Sequence, residues 1–420
     1  MTDIVTIERL GQRGEGIAQT PQGRLYVPYA LAGEEVRVTR EGERGLLLDV
    51  LRPSPDRIEA ICPYFTRCGG CAVQTLAPAA YAAWKRGLLV AALSLAGVEA
   101  DVAPLLDAHG QGRRRATFHA RVPDGGRTEV GFMQARAHKI IEIDACPVLD
   151  PRLGQAIATA RAIAKALAGL AKPLDIIVSA TDAGLDIDLR GPGKLGEAER
   201  QSLVEAALAH DVARLSNHGI IVLERRRPVL RMGDALLELP PGAFLQATEA
   251  GEQALAARVL AALQGDKRVA DLFAGVGTFA LRIAAHADVE AFDSERAALE
   301  ALSKASRGAA VSRPVEIQTR DLFHRPLLPA ELADFDAVVL DPPRAGAEAQ
   351  MHALAASSVP KIVSIACDAQ SFARDAAILM AAGYRPDIIE PIDQFRFSAH
   401  MEIFSLFRRT LPKKKRRLLG

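Results

Sequence analysis

The stretch Val269-Ala-Asp-Leu-Phe-Ala-Gly-Val-Gly-Thr-Phe-Ala-Leu281 decides how the rest of the chain is read. A short apolar run ending in an acid, a loop holding Gly275 and Gly277, and an apolar-periodic segment predict strand, tight turn and helix. The glycines let the backbone pass close to a bound ligand, and Asp271 closes the strand at the carboxyl edge of a sheet, where open α/β folds place their ligands. Gly-x-Gly lacks the third glycine of the dinucleotide fingerprint, and no Gly-Lys-Ser/Thr follows to hold a triphosphate. What remains is the pattern of an S-adenosylmethionine site.

Outward from this loop, strand and helix alternate from Pro240 to the end. Phe244-Leu-Gln246 precedes a helix expected over Thr248 to Leu263. Val289-Glu-Ala-Phe-Asp293 ends a second strand in an acid about twenty residues after the first, where a parallel α/β unit sets the carboxylate that bonds ribose hydroxyls. Asp293 is the candidate for that role, and Asp321, ending a third strand after Val315-Glu-Ile-Gln318, is expected near the adenine. Phe335-Asp-Ala-Val-Val-Leu340 then runs into Asp341-Pro342-Pro343-Arg344, where two prolines fix an extended turn and hold the carboxylate at the switch-point crevice. Related Asn-Pro-Pro-aromatic turns occur in enzymes that methylate exocyclic amino groups, so this turn leaves the chemistry open.

Ile362-Val-Ser-Ile-Ala-Cys367-Asp-Ala-Gln-Ser reads as a strand delivering a cysteine to the mouth of a helix. The positive end of a helix lowers a thiol pKa, so Cys367 is expected to be a ready thiolate. A thiolate is required where a methyl group goes to carbon-5 of uracil: its addition at carbon-6 makes carbon-5 enolate-like, and a base must later remove the carbon-5 proton. Glu402, in His400-Met401-Glu402, is the candidate base.

Nearer the start, Thr6 to Val50 is glycine-punctuated and alternating. Ile17, Leu25, Val27, Val36 and Val38 are the expected core of a small barrel of short strands, which on pattern alone equally suits a structural barrel with no ligand. Arg52-Pro-Ser-Pro-Asp56 is a stiff connector. Cys62, Cys68 and Cys71 follow, packed around two glycines, with Cys146 much later, in a chain of 5 cysteines. A metal site explains them better than disulfides, and from spacing zinc and a [4Fe–4S] cluster are equally suitable. A helix from Ala77 to Ala96 carries Trp84, Lys85 and Arg86 and is expected to support the cysteine loop. The region to Ala209 alternates strands and helices in an α+β manner. Arg113, Arg114 and Arg115 read as a solvated basic edge or a phosphate contact. His109, His119, His138 and His210 lack ligand spacing.

The formal charge of +1 over 420 residues gives no global field, so a nucleic-acid partner must be met by local patches such as the tail Lys413-Lys-Lys-Arg-Arg417. No run of apolar residues is long enough to span a membrane, and residues 1–12 lack a signal-peptide core. A cytoplasmic location is expected, with no membrane and no obligate protein partner.

Taken together, Gly-Glu-Gly-Ile-Ala…Leu-Tyr-Val-Pro-Tyr-Ala, the four cysteines, Asp-Pro-Pro-Arg, Cys367 and Glu402 resemble the bacterial RNA (uracil-5-)-methyltransferase family, in its TRAM-domain, iron–sulfur branch acting on 23S ribosomal RNA. The resemblance implies an α/β fold: a Rossmann-like class I methyltransferase domain over 240–420, an N-terminal TRAM (OB-like) RNA-binding barrel over 1–55, and a central α+β iron–sulfur domain over 56–239. It implies that Cys62, Cys68, Cys71 and Cys146 ligate [4Fe–4S], that Cys367 is the nucleophile and Glu402 the base. Gln246, Phe273, Thr278, Asp293, Asp321 and Asp341 then fall on the family's S-adenosylmethionine positions. The implied product is 5-methyluridine in 23S rRNA. Alternatives are 5-methyluridine in tRNA, a non-catalytic RNA-binding iron–sulfur protein, and an amino-group methyltransferase that uses Asp341. The family's usual Ser-Cys-Asn-Pro is here Ala366-Cys367-Asp368-Ala369, and its Phe-Pro-His-Thr is Phe395-Arg-Phe-Ser398. The flipped target uridine is expected from a loop or bulge of folded RNA.

Overall fold

A computed structural model describes residues 2–122, 127–308 and 313–409; the basic tail from Lys413 to Arg417 lies outside the described residues. Five strands, Arg268–Leu272, Asp288–Asp293, Glu316–Thr319, Ala337–Leu340 and Lys361–Ala366, pair in parallel. The chain first builds outward to one side of Arg268–Leu272 and then returns to build the other. The crevice at the carboxyl ends of Arg268–Leu272 and Ala337–Leu340 is therefore the topological switch point. Glu402–Arg408 inserts antiparallel between Lys361–Ala366 and Arg385–Asp393.

Alternation along four of these strands fills both faces, while the edge strand Glu316–Thr319 is exposed along its length. Val269, Val339, Val363, Ile365 and Leu406 belong to one buried layer. Their neighbours Ala270, Leu272, Val338, Leu340, Ile362 and Phe407 belong to the other. Strands buried on two faces read as continuous apolar runs, which explains why the sequence pattern was clear here. The helix predicted to start the long amphipathic segment forms over Glu249–Ala262, capped by Thr248, whose hydroxyl accepts the Gly251 N–H at 2.9 Å. After the glycine loop the helix is shorter than expected, covering Ala280–Ile283.

The amino-terminal six strands form one sheet whose two ends approach, Thr2–Thr6 packing near Gly16–Thr20, in the manner of an OB-like half-barrel. Ile17, Leu25, Val27, Val36 and Val38 are all buried, as expected. The connector after Arg52 is pinned by Glu34. Burial pushes that carboxyl up, but Arg57 and the N–H groups of Leu31 and Ser54 bring it net below the usual range. A seven-stranded mixed sheet follows, carrying Arg115–Arg121, Glu129–Met133, Leu174–Thr181 and Gly184–Arg190, with helices Ala156–Ala166 and Glu197–Ala209 sharing its apolar core.

Segments from within 56–239 also join the methyltransferase sheet. Leu106–Asp107 is its eighth strand, and the hairpin Val229–Met232 with Ala235–Glu238 contributes Leu230, Met232 and Leu237 to its core. The helix Pro78–Leu95 packs Leu89, Ala92 and Leu93 into the opposite layer, against the helix Ala369–Ala381, rather than serving only the cysteine loop. Its Lys85 is fully buried and ion-paired to Asp393 at 2.5 Å. The reading of Arg113 to Arg115 as a solvated edge is corrected. Arg114 is 4% exposed, pairs with Glu252 and donates to the Gln246 carbonyl, because the helix Glu249–Ala262 and the loop before it cover this strand start. No helix among the described residues is long and apolar enough to cross a membrane.

Candidate active site

Two neighbouring strands bring the central pair together. In the antiparallel register Ala366 lies opposite Ile403, so one step further along Cys367 faces Glu402. The partner strand Ala337–Leu340 delivers Asp341 to the same edge. Cys367, Glu402 and Asp341 line one cavity of about 830 Å³ together with Gln246, Phe273, Asp293 and Asp321. Arg344 and His400 complete its wall beside Cys367, and Arg190 reaches it from the central sheet. Thr278 is not part of this lining; it is buried, and its carbonyl accepts a bond from Arg282.

The two glycines of the loop do different work. Gly275 has φ +54° and open space where a Cβ would stand, and it borders the cavity. Gly277, with φ +90°, would place a Cβ 2.3 Å from Leu302, so it serves helix packing and not ligand approach. Phe273, between strand and loop, is held at φ +60°, a conformation a bulky residue rarely adopts. Its ring packs on Phe323 with centroids 5.4 Å apart.

Asp293 accepts the Gly275 N–H through Oδ2 and the Glu295 N–H through Oδ1, both at 2.8 Å. Those bonds fix the carboxylate at the end of its strand. Asp321 lies past the third strand, which ends at Thr319, not at its tip; it accepts the Phe323 N–H and faces the His324 ring. Asp271 is fully buried, and neither of its oxygens has a well-formed hydrogen bond. Burial, then the charge of Asp341, raises its carboxyl well above the usual range.

The expected lowering of the Cys367 thiol does not occur. Asp368 caps the helix Ala369–Ala381, taking the N–H groups of Gln370 and Ser371 at 3.0 Å. Burial, followed by the charges of Glu402 and Asp341, pushes the thiol up to about 12, while Arg344 alone among side chains favours the thiolate. Burial likewise raises Glu402, with Asp341 adding to it, and raises Asp341. His400, packed in the same wall and close to Arg344, is pushed down to about 4 and is neutral at physiological pH.

One residue of this network escaped the sequence reading. Gln394 is fully buried, its Oε1 accepts the Thr248 N–H at 3.1 Å, and its Nε2 donates to Gln246 Oε1 at 2.6 Å and Glu402 Oε1 at 3.1 Å. Gln246 in turn donates to Asp341 Oδ2 at 2.9 Å. No local sequence signal marks a glutamine whose partner is 148 positions away.

A second cavity, of about 520 Å³, adjoins the first through Phe244 and Phe395, which line both. Cys62, Cys68, Cys71 and Cys146 all line it, with Arg113 and Arg115. None is in a disulfide. Burial raises Cys146 to about 11, and the other three thiols add to the shift, so all four lie within electrostatic reach of one another. Among the described residues no three His, Cys, Asp or Glu side chains are grouped so as to hold a metal ion.

The strand order and the acid-lined cavity at its switch point define a methyltransferase of the α/β class. The chain is 44% identical to an uncharacterized RNA methyltransferase of Brucella suis biovar 1, over 96% of each chain. It is 34% identical to the 23S rRNA (uracil(1939)-C(5))-methyltransferase of Chromohalobacter salexigens, over 98% of this chain and 90% of that one. Its structure resembles that of the Pyrococcus abyssi tRNA (uracil-54, C5)-methyltransferase solved with S-adenosyl-L-homocysteine, with TM-score 0.74 and 23% identity over 96% of this chain and 99% of that one. No family model matches the chain. The chain belongs to the RNA methyltransferase family and is an S-adenosylmethionine-dependent enzyme acting on RNA.

Proposed function

We propose that this enzyme forms 5-methyluridine in 23S rRNA, with Cys367 as nucleophile and Glu402 as base. The observation that carries the reading is the strand register that sets a cysteine opposite a buried glutamate in one cavity. An amino-group methyltransferase has no use for that cysteine. The assignment to uracil and to 23S rRNA is supported by the Chromohalobacter relative.

S-adenosylmethionine supplies an electrophilic methyl group on a sulfonium. Gln246, Phe273, Asp293, Asp321 and Asp341 are proposed to bind it. Thr278 is retained among these residues only as a support of the loop, since it lies behind the lining. Cys367 Sγ, as thiolate, would bond to carbon-6 and the electron pair of the ring double bond would move toward carbon-5, which takes the methyl group as the sulfur–methyl bond breaks and neutral S-adenosylhomocysteine is left. Glu402 then removes the carbon-5 proton, the double bond re-forms, and the carbon–sulfur bond breaks to restore the thiolate. Arg344 stabilises that thiolate in a site that otherwise opposes it. The target base must be flipped out of its stack to reach the cavity.

The amino-terminal sheet, residues 1–55, is proposed to be a TRAM-like RNA-binding barrel, 56–239 an iron–sulfur domain and 240–420 the methyltransferase domain. Cys62, Cys68, Cys71 and Cys146 are proposed to ligate a [4Fe–4S] cluster. The reading rests on the family resemblance and on four cysteines, none in a disulfide, that line one cavity; their side chains do not yet converge on one ion. When bound, such a cluster cross-links the loop at 62–71 to Cys146; methyl transfer to an enolate needs no electron from it.

Nucleoside mass spectrometry of rRNA from a strain lacking the gene tests the main proposal. One 5-methyluridine of 23S rRNA should disappear and return on complementation; an unchanged 23S profile with a lost tRNA or amino-methyl mark overturns it. For the metal, anaerobically purified protein should be brown with about four irons per chain, and Cys68→Ser should bleach it. Stoichiometric zinc without iron or sulfide would replace the cluster assignment.

A further inference from the structure

Thr248, at the start of the helix Glu249–Ala262, sets the polarity of a buried amide chain. Its backbone N–H is only a donor, so the Gln394 amide must turn its oxygen to it and its NH₂ to the far side. That NH₂ meets Gln246 Oε1 and Glu402 Oε1, which in turn forces Gln246 to aim its own NH₂ at Asp341. One backbone group thus orients donors onto two carboxylates, the buried Glu402 and the partly buried Asp341. Among the described residues, Gln394 is the side chain that hydrogen-bonds Glu402, and its bond goes to Oε1.

Room for this amide is made elsewhere in the fold. A Cβ on Gly251, the third residue of the helix, would stand 2.6 Å from Gln394 Oε1 and 2.9 Å from Thr248 Oγ1. The first turn of the helix therefore carries a glycine where the amide passes.

We infer that Gln394 is a positioning residue that fixes the Glu402 carboxylate for removal of the carbon-5 proton, and that Gly251 exists to admit it. This rests on the proposed uracil chemistry. Glu402 is buried among Asp341, Arg344 and Cys367. Without a donor on Oε1 the carboxylate is free to turn, and its ionised form loses stabilisation.

Single-turnover reactions at saturating S-adenosylmethionine, on RNA with tritium at uridine carbon-5 and a labelled methyl donor, separate the two steps. In Gln394→Met, similar in volume but without a donor, tritium release should slow about tenfold or more while methyl incorporation stays within about twofold. Gln394→Glu, nearly isosteric, should slow release further, because it sets a third acid against Glu402 and Asp341. Gly251→Ala should behave like Gln394→Met. In both Gln394 variants the alkaline rise of the release rate should move to higher pH, which a loss of packing alone does not cause. Release and methylation slowing in step, or a release profile unchanged in folded variants, overturns the inference. Wild-type enzyme that methylates without releasing tritium overturns the uracil reading instead.

Discussion

Cys367→Ala enzyme should form no covalent complex with RNA and should turn over roughly 10⁴-fold or more slowly, the scale on which removal of a covalent nucleophile acts. Carbon-5 of uracil is not nucleophilic until sulfur has added at carbon-6, so no other group in the cavity can substitute for Cys367. Binding of S-adenosylmethionine should persist, because the proposed cofactor residues lie on other strands and loops, and calorimetry measures it directly. The fold should persist too, since the thiol is only partly buried and its removal deletes one atom. A Cys367→Ala enzyme with normal activity would revive the amino-group reading built on Asp341.

Glu402→Gln should do the opposite to the adduct. Addition and methyl transfer proceed, the carbon-5 proton stays, and a denaturation-resistant protein–RNA complex accumulates on gels, with its tryptic peptide containing Cys367. Turnover should fall about 10²- to 10⁴-fold, the range of a general base. RNA with 5-fluorouridine at the target should trap wild-type enzyme in the same way, because fluorine cannot leave as a proton. The pH dependence follows in sign from the geometry. Burial, with Asp341 adding to it, raises Glu402 above the usual carboxyl range, so elimination by wild-type enzyme should speed up as pH rises and the base ionises. The same shift costs stability: a folded-state pKa above the unfolded one favours folding at low pH and loses that advantage as pH rises through the folded value. Glu402→Gln should therefore lose less stability than wild type between about pH 5 and pH 9. An adduct that fails to form in Glu402→Gln, or one mapped to another residue, would assign the base or the nucleophile elsewhere.

The raised thiol of Cys367 deserves weight beside these outcomes, because it reverses what the sequence suggests. A cysteine at a helix mouth usually gains from the helix dipole. Here Asp368 takes the first N–H groups, and two acids face the sulfur. In the free enzyme the thiol is thus held protonated even with Arg344 beside it, and a cationic ligand entering the cavity is expected to shift it toward the reactive form.

By itself the sequence determined the parallel strands, the glycine loop and Asp293, the acid that closes the second strand. These are local patterns: apolar runs buried on two faces, and turns that need glycine or proline. It likewise marked Cys367, Glu402 and the four other cysteines by residue type. Tertiary structure alone decided which of these meet. Cys367 faces Glu402 because the last strand inserts antiparallel beside Lys361–Ala366, and a register between distant segments leaves no trace in periodicity. Gln394 entered through bonds to Thr248, Gln246 and Glu402 that no spacing announces. Arg114 read as a surface charge and is buried, and Gly277 read as a ligand contact and packs on Leu302, because burial depends on what the rest of the chain lays over a residue.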